Sequence, residues 1–388
     1  MPIAGINNVD SDEGLQIGGD SPRLFVRDAR NLDITPEGQI TLRPGARKVS
    51  ELALRSLWQS SLHGDVFGAL GDQWVRVGRD WSTEPLAAIG DGEVSHIVLN
   101  NSVLAAGPAG LFRFDGTSAS RLTIDTPPSP MLIQASGALE PGTYGVAVSW
   151  LRGTTESGVS EIAFASVGAA SGLSVILPAT LDPSVTHARL YVSKRDSGEL
   201  GRAGDYEIGT LSVELPLLPA LGAPPAFPHC DPMPTGRYLG LWRGRIVTAK
   251  ANVLRFSEPM GYHVHNPRHG FVLMPQRITF VAPVDGGLWV GQVDHVVFLA
   301  GSAPGGLELS ARSARRPIPG TAIELDADDT GSASQGGRRA VAWLADNGHV
   351  IGTPDGQIIE PNAGRLRGIA GDHGSSVVFG GRVLSVVG

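Results

Sequence analysis

The chain has 388 residues, 41% hydrophobic and 18% charged, which is enough for one large globular domain or two to three ordinary ones and excludes a disordered polymer. Its net charge of -7 excludes a broad cationic face for nucleic acid, and its single cysteine, Cys230, excludes an internal disulfide framework and a multi-cysteine zinc site. Gly 52 and Pro 28 are dispersed along the chain, which fits many short strands each closed by a turn, and an all-β fold is expected.

Residues 1–20 have neither the basic n-region nor the apolar h-region of a secretory signal, so synthesis in the cytoplasm without export is expected. No apolar run reaches the roughly 20 residues that cross a bilayer, and no membrane insertion is expected. The first strands are predicted around Leu24-Phe25-Val26 and Gln39-Ile40-Thr41-Leu42.

From residue 65 onward a strand-turn-strand plan recurs. One copy runs 65–70, turns at Gly71-Asp72, continues 73–77 and ends at 85–89; a second runs 102–106, 111–114 and 121–124. The plan resumes at 245–249 and 253–256, again at 287–291 and 295–299, and again at 340–344, 349–352 and 357–359; strands at 376–379 and 383–386 close the chain. Residues 338–345 also admit a short helix, although they read equally well as a buried strand.

Meanders repeating about every 40 residues are the pattern of propeller blades, because one blade cannot bury both faces alone. A β-propeller of five to seven blades is expected, with the N-terminal strands sharing a blade with the C-terminal ones. A partly open sandwich or a solenoid is the alternative.

The propeller plan is interrupted. Pro127-Pro128-Ser129-Pro130 and Pro224-Pro225-Ala226-Phe227-Pro228 bracket a strand series of about 100 residues, the size of a small sandwich. The expected division is 1–125 propeller, 126–228 inserted sandwich and 229–388 propeller. Residues 142–150 alternate, with Tyr144, Val146 and Val148 on one face.

Three candidate sites follow. His263 and His265 alternate on one predicted strand, and a loop through Pro267 could return His269, so three imidazoles could meet a divalent metal; the alternative is a histidine-rich surface loop. Trp81, Trp242 and Tyr262 lie near turns and are the expected binding-surface aromatics, whereas Trp58, Trp74, Trp150, Trp289 and Trp343 sit in apolar strands as core. The acidic stretches at Asp10-Ser11-Asp12-Glu13 and Asp326-Ala327-Asp328-Asp329 lack the EF-hand spacing and read as solvated loops.

Nothing in the sequence has the pattern of a catalytic centre. There is no Gly-x-Ser-x-Gly elbow and no phosphate-binding loop, and Cys230 beside His229 stands between prolines as a linker thiol. A non-enzymatic protein without a cofactor is expected.

Two resemblances sharpen this. Gly142-Thr143-Tyr144, Glu156-Ser157-Gly158 and Arg189-Leu190-Tyr191 make the bracketed segment resemble the fibronectin type III-like domains of phage and bacterial surface proteins. The opening 4–9, then 22–34 and Leu42-Arg43-Pro44-Gly45, resembles the start of tailed-bacteriophage virion proteins, with a Gly-Ile-Asn-Asn opening and an Arg-Pro-Gly turn. Residues 242–247 with 253–259 are similar to a stretch in propeller-bearing tail-nozzle proteins of short-tailed phages and in tail proteins of Mu-like phages.

The second resemblance implies a structural virion protein of the tail tip, baseplate or nozzle, present in several copies, whose partners are other tail proteins, copies of itself and a host surface receptor or glycan. A host-receptor or glycan-binding propeller is the alternative, and a glycan-cleaving enzyme with paired carboxylates is a third reading.

Overall fold

The computed structural model describes residues 2–30, 32–35, 37–43, 45, 47–62, 64–326 and 339–388. Asn31 and Pro44 of the N-terminal resemblance, Ala327 to Asp329 of the second acidic stretch and Arg338 lie outside the described residues. Among the described residues there is no α-helix, only strands and two 3-10 turns at Glu13–Leu15 and Pro304–Gly306. Arg339–Ala345 is a strand, so the helical reading of that stretch is corrected.

Among the described residues there are five four-stranded antiparallel meanders in chain order, the second and third separated by other sheets. Blade 1 is Arg55–Gln59, Val66–Leu70, Gln73–Val77 and Thr83–Ala88. Blade 2 is Ser95–Leu99, Ser102–Gly107, Gly110–Phe114 and Ala119–Arg121. Blade 3 is Arg237–Trp242, Arg245–Lys250, Val253–Phe256 and Phe271–Leu273. Blade 4 is Ile278–Val284, Gly287–Gln292, Val296–Ala300 and Glu308–Ala314. Blade 5 is Ile323–Asp326, Arg339–Ala345, Gly348–Gly352 and Ile358–Ile359.

The first strands of blades 2, 3 and 4 lie side by side, that of blade 4 meets the second strand of blade 5, and each pair of successive blades encloses its own apolar cluster, which is the stacking of a β-propeller. Strand period explains how. Successive side chains point to opposite faces, so Ile246 packs toward blade 2 while Val247 packs toward blade 4. In blade 5, Val341, Trp343 and Ala345 face blade 4, whereas Ala340 and Ala342 face the C-terminal hairpin. A strand covered on both faces needs apolar residues at every position, which is why these stretches read as unbroken hydrophobic runs.

Glycines let the rings interleave. A Cβ at Gly352 would lie 2.6 Å from the Trp289 ring, and that indole donates from Nε1 to the Thr353 carbonyl at 2.9 Å.

Between blades 2 and 3 the chain forms two further sheets. One contains Met131–Ser136, Ser171–Ile176 and Ser212–Leu215; the other contains Gly142–Arg152, Thr155–Val159, Ala163–Val167, His187–Ser193 and Leu200–Glu207. Tyr144, Val146, Val148 and Trp150 from the second sheet meet Leu173, Val175, Val213 and Leu215 from the first in one core. The two sheets therefore pack face to face as a sandwich.

The chain ends differ from the expected shared blade. Ile3–Ile6, Gln16–Ile17 and Arg23–Val26 form their own sheet, Leu32–Ile34 pairs Ile40–Leu42, and Gly374–Phe379 pairs Arg382–Val387. What joins N-terminus to C-terminus is a loop contact: the Asn8 backbone N–H donates to the Arg365 carbonyl at 2.9 Å, and the Arg365 guanidinium lies 4.8 Å from the centre of the Phe25 ring.

Candidate functional site at the sandwich junction

The histidine segment lies where the sandwich meets blade 3. Its strand is only Val264–His265, paired to Asp231–Pro232, so His263 precedes the pleat and does not share a face with His265. The His263 Nε2–H donates to the Glu156 carbonyl at 2.7 Å, across to the sandwich, with the Phe227 ring edge-on at 5.4 Å. The buried His265 donates from Nδ1 to the Phe256 carbonyl at 2.9 Å, on the third strand of blade 3.

His269 is exposed, with Nε2 3.5 Å from Glu258 Oε1. Burial holds the His263 and His265 imidazoles below their ordinary pKa, as expected for neutral rings that donate to carbonyls. The three rings thus serve three different partners, and the expectation that they converge on a metal is corrected. Among the described residues no group of His, Cys, Asp or Glu could hold one.

The aromatic surface is corrected at one position. Trp242 is 2% exposed and packs on Phe256 with ring centres 5.6 Å apart, inside the cluster between blades 3 and 4. Trp81 and Tyr262 are half-buried: Trp81 in the turn where its N–H donates to the Gly78 carbonyl at 3.0 Å, Tyr262 with its hydroxyl 3.2 Å from Met260 Sδ.

The junction itself is close-packed. The strand Thr155–Val159 runs against the returning linker so tightly that a Cβ on Gly158 would lie 1.8 Å from the Cys230 carbonyl oxygen; only glycine fits there. Thr126 of the outgoing linker donates to that same carbonyl at 3.3 Å. Arg152 binds from the sandwich to the propeller, donating to the Arg121 carbonyl at 2.6 Å and the Thr123 carbonyl at 3.0 Å, while Asp182 holds its guanidinium at 3.2 Å. The sequence marked both linkers by their prolines. Nothing local marked Arg152, and Gly158 stood out only within the Glu156-Ser157-Gly158 likeness, because the partners of both are distant in the chain.

Two clefts flank this joint, of about 740 Å³ and 650 Å³. Both are walled by residues 159–161, His229 and Arg268, and the larger adds Glu199 and Pro224. Beneath them the Cys230 thiol is buried, and burial, with the Glu258 and Asp231 carboxylates, pushes its pKa up to about 12. A thiol so protonated is no nucleophile at neutral pH. The exposed groups of the clefts, the Arg268 guanidinium, the His229 imidazole and the carboxylates of Glu161, Glu199 and Asp231, can engage a ligand by charge and hydrogen bonding.

No protein-family model and no curated protein matches this sequence. Solved structures similar to it include BBS1N in complex with ARL6DN, 12% identical over 86% of this chain and 90% of that one, with a TM-score of 0.35. Kluyveromyces lactis Hsv2 is 7% identical over 78% of this chain and 74% of that one, with a TM-score of 0.28. The extracellular domain of the putative one component system BT4673 from B. thetaiotaomicron is 11% identical over 90% of this chain and 48% of that one, with a TM-score of 0.25. At these scores the likenesses carry no argument, and the fold rests on the strand topology given above.

Proposed function

We propose that this chain is a structural, non-enzymatic subunit of a bacteriophage tail, assembled in several copies, in which the propeller is the body and the sandwich is a contact arm. The reading takes the sandwich as fibronectin type III-like. One observation carries it: the arm is not on a free tether but is fixed to the wheel by Arg152 and His263, each binding backbone across the joint. A fixed angle suits a part that must repeat identically from copy to copy.

Surface apolar residues support the same reading. Phe164 on the sandwich is 60% exposed, and Phe379 on the C-terminal hairpin is 72% exposed. Large apolar side chains left in water are what a subunit covered by neighbours would carry. The N-terminal resemblance to tail proteins gives the assembly its identity. The purified chain should form discrete rings or stacks in negative-stain images and by light scattering, and Phe379→Ser or Phe164→Ser should shift it toward monomer. A chain that stays monomeric at high concentration and is unaffected by both changes would count against assembly through these faces.

A further inference from the structure

We infer that the end of the wheel at which the first strands of blades 1, 3 and 4 begin is a binding site for small multiply charged anions, ligands that carry phosphate or carboxylate groups. A cavity of about 740 Å³ opens there, and Arg55, Arg237, Lys250 and Arg277 line it. Arg55 opens the first strand of blade 1, Arg237 opens that of blade 3, and Arg277 immediately precedes that of blade 4. The cations converge because the blades stack in parallel, each presenting the same strand end to the same mouth. Far apart in sequence, they make no motif.

A local device recurs at two of them. In blades 1 and 3 the residue after the arginine has a left-handed backbone, Ser56 with φ 51° and Tyr238 with φ 58°, and a bulge follows in the same strand. Non-glycine residues in that region are uncommon and costly, and bulges redirect a side chain out of the regular pleat. The same strain beside two cavity arginines ties the irregularity to the cavity.

The charges do not cancel. Arg55 is answered by Asp91 at 2.6 Å and Arg237 by Glu93, but among the described residues Lys250 and Arg277 have no carboxylate partner. Two uncompensated cations beside two guanidinium forks fit an anion with more than one charge, since the fork matches phosphate and carboxylate geometry. The walls are stiff: the Thr235 hydroxyl donates to the Gly107 carbonyl at 2.7 Å, and a Cβ on Gly236 would lie 2.6 Å from the Ala249 carbonyl oxygen. Little is then lost to ordering on binding.

The test is calorimetry on the full chain at low salt with pyrophosphate and with citrate as probes. At least one should bind saturably, with affinity falling at least about tenfold in the double variant K250Q/R277Q and in R277E, and unchanged in R316Q, an exposed arginine outside the cavity. Lys250 and Arg277 are both exposed, so the variants should fold, and circular dichroism checks that they do. Tighter pyrophosphate assigns phosphate chemistry, and tighter citrate assigns carboxylate chemistry. No binding of either probe, wild-type affinity in K250Q/R277Q, or an equal loss in R316Q would overturn the site.

Discussion

The side-chain amide of Asn8 pairs with the backbone of Arg367 as a strand residue would: its Nδ2 donates to the Arg367 carbonyl at 2.8 Å and its Oδ1 accepts the Arg367 N–H at 2.9 Å. The chain's two ends are thereby clasped by a residue of the Gly-Ile-Asn-Asn opening. Its neighbour Asn7 is buried and accepts the N–H groups of Val9 and Asp10 at 3.2 and 3.1 Å, which shapes the turn that presents Asn8.

Asn8→Ala removes both bonds and should cost about 1–2 kcal/mol locally. Hydrogen exchange should quicken around residues 365–367 with little change in blades 2 to 4. Unchanged exchange at 365–367 would mean that the clasp does not hold the ends together.

In the sandwich, the buried Glu156 carboxylate, 7% exposed, accepts from Ser149 Oγ at 2.7 Å, from Tyr191 at 2.5 Å and from Arg189 at 2.9 Å, while Arg189 grips Asp205 through two further nitrogens at 2.8 and 2.9 Å. Glu156→Ala leaves a phenol and part of a guanidinium unanswered in the interior. A loss of about 3 kcal/mol by urea unfolding is expected, with Glu156→Gln costing less because it keeps the shape and an acceptor oxygen. A cost for Glu156→Ala below about 0.5 kcal/mol would show the network to be idle.

Trp242→Ala should destabilise by about 3–5 kcal/mol, as for any fully buried large ring. Trp81→Ala, at a half-buried turn, should change stability by less than about 1 kcal/mol. Thermal melts of the two variants separate a core residue from a surface one.

These sites mark where the sequence was readable. Alternation in 142–150 put Tyr144, Val146 and Val148 on one face, and they do share a core. Gly71, with φ 61°, sits at the turn between Val66–Leu70 and Gln73–Val77 where the pattern placed it. Trp242 misled because it stands beside the Arg243-Gly244 turn, and closeness to a turn says nothing about which neighbouring blade covers a ring. The histidines misled because the pleat begins one residue after His263. The Glu156, Arg189 and Tyr191 of the fibronectin-like resemblance were seen as separate motifs; that they form one buried network depends on pairing between strands over 30 residues apart in sequence.

Acid should weaken the fold through His96. Its ring stacks on Trp58 at 5.4 Å, its Nε2 has no hydrogen-bond partner among the described residues, and burial pushes its pKa down to about 3. An unfolded histidine takes up a proton near pH 6.5. Above that pH both states are neutral and nothing is lost; below it the unfolded state alone is protonated. Stability should fall by about 1.4 kcal/mol per pH unit from about pH 6.5 toward 3 for this residue, with His263, His265 and His349 adding to the slope. His96→Phe should flatten the dependence in melts taken from pH 7 to 4; an unaltered slope would place the proton uptake elsewhere.

The central claim is that this chain is a part of an assembled tail, and the most direct measurement is mass spectrometry of purified phage particles from a host carrying the sequence. The account predicts the chain among the particle proteins at many copies, with density for a wheel and a fixed arm at the tail in cryo-electron microscopy. Particles that lack the chain while the lysate contains it would contradict the account.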